Sequence, residues 1–323
     1  MEGSVCLRIK PWLVYALITT VFWGVWGAFI DTPAKAGFQA TLGYCVWALT
    51  MIPCALVALK IVGWKLEYDT RSVVLGCIIG FTGAGGQLIL FQALRLGPAY
   101  LIFPIISVSP AVTILLSFWL LKERATVRGW WAIGLALVGI VLLSYSPPDQ
   151  SIAKGVLWVV LALVVFLAWG IQAYFWKLAN ATMKAESIFF YMAATALVLI
   201  PVALKMTDFS KDIPWHSKWP WLAALIQVLN SIGALCVVYA FRYGKAIIVS
   251  PLTNAVGPVI TVLISLALYK VIPHPIVITG MVFSIIAMLL IALEPEKPPE
   301  PAPSAVIPPA GSGPGEPPAS HSA

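Results

Sequence analysis

The chain has 323 residues, of which 60% are hydrophobic and 10% charged, with a mean hydropathy of +0.94. A soluble globular surface does not tolerate that balance, so the solvent of this chain is lipid. The formal charge of +7 comes from Lys and Arg in short loops between apolar runs, which is the pattern of membrane orientation and not of nucleic-acid binding.

Arg8 and Lys10 ahead of an apolar run, with Ala34-Lys35-Ala36 behind it, imitate a secretory signal. The Trp23-Gly24 pair inside that run recurs as Trp169-Gly170 in mid-chain, where no signal peptide stands, so the run is read as a retained first helix. Hydropathy and turn residues then mark ten candidate helices, five in each half. They run from Trp12 to Ile30, Leu42 to Val62, Val73 to Leu94, Ala99 to Leu121, Trp130 to Tyr145, Gly155 to Trp176, Ile188 to Leu204, Trp219 to Phe241, Ala246 to Tyr269 and Ile276 to Leu293. Residues 1–11 are expected as a cytoplasmic N-terminus, 12–148 and 149–293 as two five-helix repeats, and 294–323, rich in Pro, Gly, Ser and Ala, as a disordered tail.

The duplication rests on spacing. Ala93, Arg95, Gly97, Ala99 and Pro104 reappear as Ala240, Arg242, Gly244, Ala246 and Pro251, all at an offset of 147 residues. Pro53 and Pro201, and Gly134 and Gly280, match at nearly the same offset. Five helices per repeat is an odd number, so the second half enters the membrane from the opposite side and the fold class expected is an all-α membrane protein of ten helices in two inverted repeats. Roughly two thirds of the 20 Lys and Arg residues fall on the side of the N-terminus, which makes both termini cytoplasmic and puts the Asn180-Ala181-Thr182 sequon inside.

The order Ala93, Arg95, Gly97, Ala99, Pro104, Pro110, Glu123, Gly129, Gly134 and Gly139 across the hairpin from Phe91 to Tyr145 resembles the EamA-like family of the drug/metabolite transporter superfamily. The resemblance implies transport of a metabolite or drug, often export, and a structural role for Glu123 in a signature turn beside Arg or helix-end groups. Arg95 and Arg242 belong to the same motif and read as interface anchors at helix ends. An Arg common near the start of the family's second helix has no counterpart in Leu42 to Pro53, and Lys270 stands where the second half would repeat Glu123.

Polar side chains inside the apolar runs are few, and helical spacing collects them on single faces. Gly76, Gly80, Gly83 and Gln87 share a stripe of the third run, and Gln227, Asn230, Ser231 and Ala234 a stripe of the eighth. Ser109, Thr113 and Ser117 line the fourth; Ser250, Thr253, Asn254, Gly257 and Thr261 line the ninth. Small residues and hydroxyls of this kind also serve helix packing alone. A full amide needs partners at both ends, so Gln87, Gln172, Gln227, Asn230 and Asn254 are candidates for a binding pocket, with interhelical bonding as the alternative. Trp23 and Trp169 lie well inside their runs and are candidates for stacking on a solute or for packing. Pro104, Pro110, Pro251 and Pro258 each remove a backbone hydrogen bond and are candidate hinges for alternating access, or fixed kinks.

The middle of the runs holds no ionisable residue, and Asp31 and Glu123 stand only at run ends. Five cysteines show no metal-ligand spacing and the three histidines form no cluster, so neither a metal nor a cofactor is expected. No catalytic set stands in the runs, which excludes an enzyme as the first reading. The expected function is a secondary transporter of a small neutral or zwitterionic organic solute at the repeat interface. A sugar or nucleotide-sugar carrier of the same superfamily and a small-cation channel or transporter on the same fold are the alternatives. The partners implied are the lipid bilayer and a small-molecule solute, with no nucleic acid and with a homodimer allowed. The membrane expected is the plasma membrane or a bacterial inner membrane.

Overall fold

A computed structural model describes residues 10–97, 99–145, 156–269 and 274–293. The expected tail, most of the N-terminal segment, the boundary at 148–149 and Lys270 lie outside the described residues, as do the side chains of Asp31 and Pro104. In chain order the helices are α1 (Pro11–Phe29), α2 (Asp31–Lys35), α3 (Ala40–Ile61), α4 (Thr70–Gly80), a π-helical turn (Phe81–Gly85), α5 (Gly86–Leu96), α6 (Ala99–Ser107), α7 (Pro110–Trp119), α8 (Val127–Leu143), α9 (Leu157–Ala179), α10 (Ala185–Val198), α11 (Ile200–Met206), α12 (Trp219–Tyr243), α13 (Ala246–Tyr269) and α14 (Pro275–Ala292). Among the described residues there is no strand. In lipid every backbone polar group must find its partner inside the chain, and helices achieve this locally.

Among the described residues, seven stretches are long and apolar enough to cross a membrane: Pro11–Lys35, Ala40–Ile61, Thr70–Leu96, Leu157–Ala179, Ala185–Met206, Trp219–Tyr243 and Ala246–Ile264. Ile105–Trp119, Val127–Leu143 and Pro275–Ile291 are shorter apolar helices. Large apolar side chains such as Leu56, Val57, Val160, Leu163, Ile285 and Leu289 are exposed on the outer surface, where acyl chains solvate them. The apolar runs read from sequence are therefore helical, but several are interrupted. The fourth breaks between α6 and α7, where Pro110 opens a new helix at a position that needs no N–H donor. The seventh breaks between α10 and α11 just ahead of Pro201. Pro53, Pro251 and Pro258 stay inside continuous helices.

The first helix of each half packs on the third and fourth of the other. Helix α1 lies against α12 and α13, and α9 lies against α5 and α7. Small residues make these approaches possible: a methyl on Gly24 would meet Ile260 Cβ at 2.5 Å, and one on Gly170 would meet Val112 Cβ at 2.4 Å. Hydrogen bonds repeat across the halves at the sequence offset, to within a residue. Thr261 Oγ1 donates to Gly24 O (2.9 Å) and Thr113 Oγ1 to Gly170 O (3.0 Å). The last helices, α8 and α14, pack together where Gly139 and Gly280 meet, while α3 packs against α10, α11 and α12.

Candidate functional site

The two exchanged helix groups, α1 with α12 and α13, and α9 with α5 and α7, enclose a cavity of about 270 Å³ to which α3 and α10 add one wall. The lining is largely aromatic: Trp23 and Trp26 come from α1, Trp47 from α3, Trp169 and Trp176 from α9, and Phe241 from α12. Four of the indole N–H groups are engaged by protein. Trp23 donates to Asn230 O (3.3 Å), Trp26 to Gln227 Oε1 (3.0 Å), Trp169 to Gly83 O (3.3 Å) and Trp176 to Met192 Sδ (3.3 Å). These bonds fix the attitude of each ring, so that what those four rings offer a solute is carbon surface. The Trp47 N–H is buried and has no partner among the described residues.

The π-helical turn widens the same wall. Its Gly83 and Ala84, with Gly80 before it, border the cavity, and α9 grips the backbone there through Trp169 on Gly83 O and Gln172 Nε2 on Ile79 O (3.0 Å). Glycine lets α9 come close: a methyl on Gly83 would stand 2.0 Å from Gln172 Nε2. The remaining wall is polar but uncharged. Gln87 and Asn230, both half-buried on the cavity, have no side-chain hydrogen bond to another described residue. Asn254 donates its Nδ2 to Ser250 O (2.9 Å), which leaves its carbonyl oxygen for a solute. Ser109 and Ser250 add hydroxyls, and among the described residues no Asp, Glu, Lys, Arg or His lines the cavity.

Of the residues singled out in the sequence, Trp23, Gln87, Trp169, Gln172, Asn230 and Asn254 border this cavity. Gln227 does not: it lies behind the wall, 5% exposed, its Oε1 accepting from Trp26 and its Nε2 donating to Gly43 O (3.2 Å). Its amide has found partners within the protein, the interhelical alternative. Pro110 and Pro251 are buried, Pro251 beside cavity-lining Ser250, whereas Pro258 is exposed on the outer side of α13, and Pro104 falls within α6. Arg95 is exposed and donates to Met206 O; Arg242 Nη1 reaches Met183 O (3.4 Å). Glu123 Oε2 accepts from the N–H of Ile247 in the first turn of α13 (3.1 Å). Burial pushes the Glu123 carboxyl above the usual carboxylate range, against the downward pull of the Ile247 amide and of Lys177 and Lys245.

Sequence reasoning missed Trp47, Met192 and Phe241. Trp47 carries the signal that marked Trp23, an indole in mid-run, but no Trp stands at the matching place in the second half. Phe241 sits inside the repeated Ala-x-Arg motif, where the flanking residues drew the attention. Met192 shows no polar signal at all.

An all-helical integral membrane protein that passes the membrane several times and keeps an uncharged cavity among its helices is the class these observations define. Residues 10–145 and again 156–293 match the EamA-like transporter family, and the chain belongs to that family. It is 30% identical over 136 residues to the uncharacterized protein MJ1333.1 of Methanocaldococcus jannaschii, covering 42% of this chain and 96% of that one. That relative is about as long as one matched repeat. Protein LicB of Haemophilus influenzae is 24% identical over 222 residues, 62% of this chain and 70% of LicB. A probable 4-amino-4-deoxy-L-arabinose-phosphoundecaprenol flippase subunit, ArnE of Hamiltonella defensa, is 31% identical over 81 residues, 25% of this chain and 72% of ArnE. A solved crystal structure has the same fold, with a TM-score of 0.72 at 16% identity over 87% of this chain and 98% of its own.

Proposed function

We propose that the chain is a secondary transporter that moves a small neutral or zwitterionic organic solute by alternating access. In this reading ten helices cross the membrane as two inverted five-helix repeats, both termini are cytoplasmic, and the membrane is the plasma membrane or a bacterial inner membrane. The observation that carries the reading is the cavity between the exchanged helix groups, where the amides of Gln87 and Asn230 have no partner among the described residues and the wall is aromatic. Amides that border the cavity with both ends open can exchange hydrogen bonds with a bound solute. Indole carbon surface and amide ends together suit a solute with one apolar face and several hydrogen-bonding groups. A sugar belongs to that class. A nucleotide sugar fits less well, because its phosphates call for Lys or Arg and none lines the wall.

The test is solute counterflow in proteoliposomes preloaded with a mixture of neutral and zwitterionic amino acids, hexoses and nucleobases. Trans-stimulated uptake that falls with Gln87→Ala and Asn230→Ala supports the carrier and its pocket. Ohmic ion current with no exchange of any solute overturns it in favour of a channel. The name of the ArnE relative adds one candidate to the panel, the polar headgroup of a lipid-linked sugar.

A further inference from the structure

The two helix groups that enclose the cavity are joined by hydrogen bonds at one end. Lys177 Nζ, in the last turn of α9, donates to Gly244 O at the end of α12 (2.6 Å), and Lys245 Nζ donates to Arg124 O in the turn after α7 (2.7 Å). The Ile247 N–H donates to Glu123 Oε2 (3.1 Å), and Asn180 Nδ2 to Val238 O (3.0 Å). The bonds of Thr19, Trp23, Trp26 and Thr261 stay inside the α1, α12, α13 group, and those of Thr113, Trp169 and Gln172 join α9 to α7, the π-helical turn and α4 of the first half.

Trp176 and Phe241 border the cavity on the side of this cluster. Trp176, next to Lys177 in sequence, packs its ring against Phe241 with centroids 5.4 Å apart, and both rings are buried. They form a floor that bridges the groups, with Lys177 next in the chain after Trp176 and its acceptor Gly244 three residues after Phe241. The turn that carries Glu123 is held in an unusual shape: Lys122 has φ 53°, left-handed for a residue with a side chain. The turn sets the carboxylate against the first-turn N–H groups of α13, where the helix dipole favours a negative charge. Later turns of α13 carry Ser250, Thr253 and Asn254 of the cavity wall.

We propose that Glu123, Lys177 and Lys245 form the gate of the translocation path at this end. Joined, they seal the cavity beneath the Trp176–Phe241 floor; parted, they let α9 and α13 separate and open it here. The proposal rests on the transport reading above. Charge-assisted bonds suit a gate because they are strong when dry and lose most of their worth once water enters between the groups.

Hydrogen–deuterium exchange of the full chain in lipid nanodiscs tests it without any solute, comparing the wild type with Glu123→Gln and, as a second break in the same cluster, Lys177→Met. The amides of residues 244–249 are expected to exchange faster in both variants by roughly tenfold, the factor set by losing one charge-assisted hydrogen bond. Amides around Trp26 and Gln87, toward the other end, are expected to exchange more slowly, because the two ends open in alternation. Unchanged exchange at 244–249 in both variants overturns the gate. So does faster exchange at both ends together, which marks general loosening. Failed counterflow with the exchange result intact removes the transport reading instead.

Discussion

The stretch Thr70–Leu96 and helix α12 occupy the same place in the two halves and meet the cavity in opposite ways. Each receives an indole from the first helix of the other half on an equivalent backbone oxygen: Gly83 O from Trp169 and Asn230 O from Trp23. The first stretch presents glycines and a π-helical turn, so its backbone comes close to α9. Helix α12 is continuous and presents Gln227 and Asn230 where the first has Gly80 and Gly83. Duplication thus kept the scaffold bonds and let the side chains diverge position by position: Gly80 and Gly83 give room where α12 has Gln227 and Asn230, whereas Gln87 stands where α12 has Ala234. A site between repeats need not share their symmetry.

The largest effect is expected on the glycine side. A methyl on Gly80 would lie 1.8 Å from Thr195 Oγ1 and 2.8 Å from Thr195 Cβ, and that hydroxyl is itself bonded to Tyr191 O and Met192 O. Gly80→Ala should therefore lower stability by about 1–3 kcal/mol through overpacking. Gly85, where nothing lies within 4 Å, is the control: Gly85→Ala should be neutral or should stabilise by about 0.5–1 kcal/mol. Thermal unfolding in detergent reads both, and equal losses would mean that close approach is not what these glycines serve.

On the amide side, Gln227 and Asn230 should separate. Gln227→Ala strands the Trp26 N–H and removes the side-chain bond to Gly43 O, and should cost about 1–3 kcal/mol of stability. Asn230→Ala removes an amide that has no protein partner, so the melting temperature should stay near that of the wild type. The apparent affinity for the transported solute should instead weaken several-fold, as for one lost hydrogen bond of about 0.5–1.5 kcal/mol. If Asn230→Ala unfolds the protein while Gln227→Ala alters only uptake, their placement is reversed.

Much of this arrangement could be read from the sequence, and the limits have physical causes. Apolar runs, the recurring Ala-x-Arg and Trp-Gly pairs and the amide stripes are patterns of period and spacing, which a sequence displays directly. Whether an amide faces a cavity or a neighbouring helix depends on rotation by a fraction of a turn. Gln227 and Asn230 share a stripe, yet one found partners in Trp26 and Gly43 and the other did not. The π-helical turn adds one residue to a turn and shifts every later face, and no residue type in Phe81–Gly85 demands it. Proline shows the same dependence on context: Pro110 starts a helix, Pro251 is buried in one, and Pro258 faces outward from the same helix.

The smallest effect expected lies at the entry to the glycine-rich stretch. Asp69 caps α4, its carboxylate accepting from Ser72 Oγ (2.7 Å) and from the Ser72 N–H (3.2 Å), and these bonds hold its pKa below the usual carboxylate range. The folded pKa is depressed, so the cap's contribution is fully present above the unfolded value of about 3.9 and is lost as pH falls through the folded one. Asn is as good an N-cap as Asp and does not titrate here. Asp69→Asn should then match the wild type at neutral pH in the exchange of the first-turn amides of α4, and the two should part only below the ordinary Asp range, where the wild type loosens and the variant does not. Helix α12 begins without a side-chain cap, at Lys218 and Pro220, and its first turn should show no such acid step. A difference between Asp69→Asn and the wild type already present at neutral pH would assign the carboxylate a partner other than the helix it caps.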